Sequence, residues 1–169
     1  MKFSCVRILS PMAILCALSG FVTATSKDQA LRTMQIDLAA SNNSIVHGKA
    51  LFKENMDHST NVVITLQNTK RDSIYLSQIN NGSFEHPGSM ALPLQIIRGT
   101  GSIVSQITFN VKIITNESGQ PVAVTFDDLI KFPGYISIQL GGLPFNKPAA
   151  AGNILQPLSV ILKVNKQLK

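Results

Sequence analysis

Cysteine is nearly missing from this chain, and the only two, Cys5 and Cys16, both lie close to the N-terminus. If that segment is removed on export, no disulfide can form and stability must come from apolar burial. Cys16 follows Ala13-Ile14-Leu15 inside a continuing apolar run, not the small residue that a lipoprotein site needs, so lipidation is not expected. Charge is also sparse, at 14% of residues. Setting Lys2 and Arg7 apart from the 15 basic residues leaves thirteen against 9 acidic ones, a net of +4 with no dense cluster. Nucleic-acid binding usually draws on a basic stripe with stacking or groove-reading partners, so no nucleic-acid partner is expected. A weak attraction to anionic surfaces is the most this balance supports.

Histidine is scarce too, with His47, His58 and His86 as the full set. Catalytic zinc and copper sites draw on two or three converging imidazoles. His47 stands beside Gly48 in a predicted strand and reads as a strand-face residue. His58 follows Met56-Asp57 in a polar turn, and His86 lies within Phe84-Glu85-His86-Pro87-Gly88-Ser89-Met90. One alternative keeps a metal: Met56, His58, His86 and Met90 would offer thioether and imidazole, a pairing that selects copper(I). Gly-x-Ser-x-Gly elbows, His-Glu-x-x-His helices and phosphate loops are all missing. Asp127-Asp128 is a poor carboxylate pair, because adjacent residues at a strand-to-turn junction point apart and helix capping accounts for one of them. The expectation is a protein that is not an enzyme and needs no cofactor.

What is present begins with a leader. Lys2 and Arg7 precede an apolar stretch from Ile8 to Val22, and Val22-Thr23-Ala24 fits the small-residue cleavage rule. A spanning helix needs about 20 predominantly apolar residues, and this stretch is shorter and carries Pro11. Residues 1–24 are therefore predicted to be a signal peptide and 25–169 a single domain, exported to the periplasm or beyond the cell. About 145 mature residues suffice to bury a core without disulfide or metal staples.

From Thr33 onward, short segments rich in Val, Ile, Thr and Phe alternate with Asn, Gly, Ser and Pro punctuation, the rhythm of an antiparallel sandwich. Strands are predicted near 33–40, 45–53, 60–67, 73–80, 92–98, 102–115, 121–126, 134–140 and 154–165. Val62, Ile64 and Leu66 share one face by period-2 alternation, as do Ile136, Ile138 and Leu140, and both faces are expected in the core. Asn116-Glu117-Ser118-Gly119 reads as a hairpin loop. Helical periodicity is confined to Phe126–Phe132, where an Asp is expected to cap one turn before Pro133-Gly134. The fold class that follows is all-β, with an immunoglobulin-like sandwich as runner-up.

Ser77-Gln78-Ile79-Asn80-Asn81-Gly82-Ser83-Phe84, Pro93-Leu94-Gln95, Thr125-Phe126-Asp127-Asp128-Leu129, Tyr135-Ile136-Ser137-Ile138-Gln139-Leu140 and Ala151-Gly152-Asn153-Ile154 follow one another in a familiar order. In order and spacing, this run resembles the small exported sandwiches related to the CHRD domain and to copper/zinc superoxide dismutase. The resemblance implies a superoxide-dismutase-like antiparallel Greek-key β-sandwich with one short helical turn. It departs wherever that family has chemistry. Gln78 and Asn80 replace the paired histidines, Gln139 or Leu140 replaces the later one, and Phe84 and Ala151 stand where the disulfide cysteines would be. Amides are poor copper ligands, so the family's metal chemistry is not carried over.

Function is then expected from loops on a rigid sandwich. The longest irregular connections are Asn80 to Ala91 and Gly141 to Asn153, and the second holds Leu143, Pro144, Phe145 and Pro148. Leu143, Phe145 and Phe84 are the candidate binding residues of a non-enzymatic exported interaction protein. Its partner classes are protein, glycan or a membrane surface.

Overall fold

The computed structural model describes residues 31–141 and 148–155. The predicted leader, Leu143, Phe145 and the strand predicted beyond residue 155 lie outside the described residues. Eleven strands and one short helix follow in order: β1 (Thr33–Ala40), β2 (His47–Glu54), β3 (Thr60–Gln67), β4 (Ile74–Gly82), β5 (Pro87–Pro93), β6 (Ile97–Arg98), β7 (Val104–Val111), β8 (Ile113–Thr115), β9 (Pro121–Ala123), α1 (Phe126–Ile130), β10 (Gly134–Leu140) and β11 (Ala150–Asn153).

Nine of the strands form one curled antiparallel sheet in the order β5-β4-β10-β11-β1-β2-β3-β7, with β6 beside β4, while β8 and β9 make a separate hairpin. The fold is an all-β antiparallel sandwich. β7 returns beside β3 and β10 beside β4, so the connections are of Greek-key type rather than a simple meander. The two halves, β1-β2-β3-β7 and β5-β4-β10-β11, are joined along a short corner where Ala39 faces Ala151 and Ala40 faces Ala150. Gly152 is required at this corner, because a Cβ there would run into the Asp37 carbonyl. At the opposite seam, the Gln95 N–H donates to Thr108 Oγ1 at 2.9 Å.

Alternation fills the space between the halves. Ile36 and Leu38, Ala50 and Phe52, and Val62, Ile64 and Leu66 meet Tyr75, Ile79, Ile136 and Ile138 in one buried cluster. The two predicted core faces are in place, apart from Leu140, which is only partly buried. Each fully buried side chain of this kind contributes about 1.5–3 kcal/mol, which a domain without disulfides needs. Tyr75 can be buried because its hydroxyl accepts the Lys70 N–H at 2.8 Å.

Local differences from the predicted elements have physical causes. The stretch from Asn80 to Ala91 is not an irregular loop: β4 runs on to Gly82 and β5 begins at Pro87. Prolines at both ends of β5, with Gly88 between them, hide its strand character, and the register against β4 shifts at Asn80 and Gly82. β11 is likewise built from Ala-Ala-Gly-Asn, poor strand formers chosen for closeness to β1 and β10. The predicted 102–115 strand breaks after Val111, next to Asn110 at φ 54. The helical turn is capped by Thr125, not by an aspartate. Its side chain accepts the Asp128 N–H while the Asp128 carboxylate accepts the Thr125 N–H, a closed capping box. The Asn116–Gly119 hairpin is as expected, with Gly119 at φ 78.

Candidate functional site

Inward-facing residues of β10 are Ile136 and Ile138, so the opposite parity, Tyr135, Ser137 and Gln139, must face outward. On β4 the corresponding outward residues are Leu76, Gln78 and Asn80, paired with Gln139, Ser137 and Tyr135 respectively. An outer sheet face is ordinarily solvated. This one is not: Asn80 is 2% exposed, Ser137 1% and Tyr135 7%.

The three pairs form the floor of a concave cleft of about 890 Å³. It extends along β10 from Tyr135 to Gln139, about 13 Å at the rise of an extended strand. A hydrogen-bonded chain crosses the floor. Gln78 Nε2 donates to Asn80 Oδ1 at 2.7 Å, and Asn80 Nδ2 donates to Ser137 Oγ at 2.9 Å. The bonds fix which way each amide points. Gln78 Oε1 and the Tyr135 hydroxyl make no hydrogen bond among the described residues. Burial raises the pKa of the Tyr135 phenol, so its proton stays in place at neutral pH and the group is available as a donor.

Apolar side chains form the walls. At one end Phe84 packs edge-on against Tyr135, with ring centroids 6.2 Å apart and planes at 64°. Met90 and Pro93 rise from β5, and Leu94 and Ile96 follow it. The hairpin that carries Phe84 is pinned to β11, since the Phe84 N–H donates to Asn153 Oδ1 at 2.9 Å. At the other end Asn42 Nδ2 donates to the Pro148 carbonyl at 2.9 Å. No described lining residue is Asp, Glu, Lys, Arg, His or Cys.

The sequence-predicted site residues are divided by this geometry. Phe84 lines the cleft, and Met90 does as well. Leu143 and Phe145 lie outside the described residues. Met56 and His58 sit in the turn between β2 and β3, whereas His86 and Met90 belong to the β4–β5 hairpin in the other half of the sheet. Met56 is 88% exposed. His58 Nδ1 is 3.0 Å from Glu54 Oε1, so a carboxylate orients its ring. Among the described residues no group of three or more His, Cys, Asp or Glu is placed to hold a metal ion. Asp127 and Asp128 do point apart, Asp127 toward Arg32 and Asp128 into its capping box.

A second polar cluster lies beside α1 and is structural. Arg32 forks between Glu54 at 2.7 Å and Asp127 at 2.8 Å and lies 5.1 Å from the centre of the Phe126 ring. Hydrogen bonds from Arg32, then from His58, lower the Glu54 pKa to about 2. Lys112 and then Ser59 hold Asp57 well below the usual carboxylate range. These pairs tie the entry of β1 and the β2–β3 turn to the helix and to the β7–β8 link.

In the sequence, Gln78, Asn80 and Gln139 or Leu140 read only as replacements of metal ligands, and neither Tyr135 nor Ser137 was given a binding role. The missed signal was parity on two adjacent uncharged strands: Tyr135, Ser137 and Gln139 alternate along β10, and Gln78 and Asn80 share the matching face of β4. No family model, curated protein or solved structure matches the chain.

Proposed function

We propose that this chain is an exported, non-enzymatic binding protein whose ligand seats in the cleft on the outer face of β4 and β10. The observation that carries this reading is the chain Gln78–Asn80–Ser137, a hydrogen-bonded floor under apolar walls. Ligand sites are concave, largely apolar and furnished with a few fixed polar groups, and their volumes are commonly about 300–1,000 Å³. Oriented amides pre-arranged by their neighbours avoid part of the ordering cost of binding.

A binding role is favoured over catalysis by the same lining. General acid–base work at neutral pH needs a carboxyl, imidazole, amine or thiol in reach of the substrate, and the described lining supplies none. The leader of Lys2, Arg7, Ile8–Val22 and Val22-Thr23-Ala24 supports export. In the likeness to the CHRD and superoxide dismutase sandwiches, Gln78, Asn80 and either Gln139 or Leu140 stand at the ligand positions, and Gln78, Asn80 and Gln139 border the cleft. We read the cleft as that face turned from metal binding to recognition by amides.

Thermal-shift screening of the mature protein against a mixed small-molecule library tests the proposal. The expected hit raises the melting temperature of the wild type and of Phe109→Ser, whose site lies on β7, and raises that of Gln78→Leu clearly less at the same concentration. Equal stabilisation of Gln78→Leu and the wild type, or a hit converted to product during incubation, would overturn the reading.

A further inference from the structure

We infer that the ligand of this cleft is a neutral oligosaccharide, held by its hydroxyls on the amide floor and by an apolar ring face against Phe84. The inference rests on the cleft being the binding site. Three properties of the lining narrow the chemistry.

The first is charge. A bound carboxylate, phosphate or ammonium loses its hydration and must be compensated, yet no ionisable acid or base of the described residues except the protonated Tyr135 phenol touches the cleft. The described lining therefore offers a charged ligand no counter-charge. The second is the floor. Gln78, Asn80, Ser137 and Tyr135 present donors and acceptors side by side, and a purely apolar ligand would bury Gln78 Oε1 and the Tyr135 hydroxyl without partners. Saccharide hydroxyls are also donor and acceptor at once, so they match a surface of amides and hydroxyls, while the C–H face of a pyranose suits an aromatic wall.

The third property separates saccharide from peptide. An extended peptide gains most by adding to a free strand edge. The floor of this cleft is a sheet face between β4 and β10, whose facing main-chain groups are already paired across seven register positions from Gly134–Asn81 to Leu140–Tyr75. A peptide laid here would find side chains only. The length of the floor, about 13 Å, suits a short oligomer rather than a single ring.

Isothermal titration of the mature protein tests this with neutral trisaccharides of glucose, galactose, mannose and N-acetylglucosamine. Tri-galacturonate and trialanine form the comparison arms. At least one neutral trisaccharide is expected to bind, with affinity reduced about tenfold in Gln78→Leu and in Phe84→Ala, the loss of one hydrogen bond or one ring contact. Both residues are partly exposed, so the variants should fold, and circular dichroism checks this. No binding by any neutral trisaccharide at millimolar concentration overturns the inference, as does saccharide binding indifferent to both substitutions. Binding of tri-galacturonate or trialanine alone, lost in Gln78→Leu, would overturn the saccharide class while leaving the cleft as the site. Failure of the cleft itself is read separately, by thermal-shift hits that ignore Gln78→Leu.

Discussion

Replacing Ser137 by Ala removes a single hydroxyl, yet the geometry makes it a costly change. Ser137 Oγ accepts from Asn80 Nδ2 at 2.9 Å, and the two residues are 1% and 2% exposed. With the acceptor gone, the Asn80 amide keeps a buried N–H with no replacement partner in place, a loss of about 1–3 kcal/mol. For a domain of this size that corresponds to a melting temperature lower by about 3–10 °C. Removing both ends should cost less than the sum. In an Asn80→Leu background Ser137→Ala is expected to cost under about 0.5 kcal/mol, because no amide remains to be stranded and Gln78, partly exposed, can turn to water. Urea unfolding of the four proteins in this cycle measures the coupling. A single Ser137→Ala loss below about 0.5 kcal/mol, additive with Asn80→Leu, would mean that water replaces the hydroxyl freely. The cleft floor would then not be the pre-oriented surface described.

Acid stability should depend on the Arg32 fork: the folded-state pKa of Glu54 lies near 2 against an ordinary 4.5, so its stabilisation is present above pH 4.5 and lost as pH falls toward 2. Melting curves should show that fall in the wild type and a shallower one in Arg32→Gln; identical slopes would contradict the assignment. Phe109 is 66% exposed on β7, so Phe109→Ser should move stability by no more than about 0.5 kcal/mol, checked by urea unfolding. Gly152→Val forces a side chain against the Asp37 carbonyl where β11 meets β1 and should cost about 1–3 kcal/mol or more. A variant as stable as wild type would show that this corner is looser than described.

Much of the fold was legible because local pattern and burial agree. Val62, Ile64 and Leu66 alternate in sequence and are buried in the structure, and the strands at 33–40, 60–67 and 134–140 fall where alternation put them. β5 and β11 were hidden because tertiary closeness, not propensity, makes them strands: Pro87-Gly88 and Ala151-Gly152 are small or rigid where neighbours crowd in. β7 was read as a strand with no face assigned, and the sheet turns polar residues of it toward the core side. Gln106 and Thr108 lie on the face shared with core residues Ile64 and Val62, and Ile107 and Phe109 point out. The site was half legible. Gln78 and Asn80 were noticed for what they replace, while the bond from Asn80 to Ser137 depends on the β4–β10 register, which no local pattern encodes.

The most direct test follows the side-chain amide protons themselves. In a proton–nitrogen correlation spectrum, the NH₂ signals of Gln78 and Asn80, assigned by loss in Gln78→Leu and Asn80→Leu, report on the cleft floor alone. On titration with a ligand found by thermal shift, these signals and the backbone amides of Phe84, Tyr135 and Ser137 should shift together. Shifts confined to the β2–β3 turn around Met56 and His58, with both NH₂ pairs unmoved, would contradict the assignment of the binding site to this face.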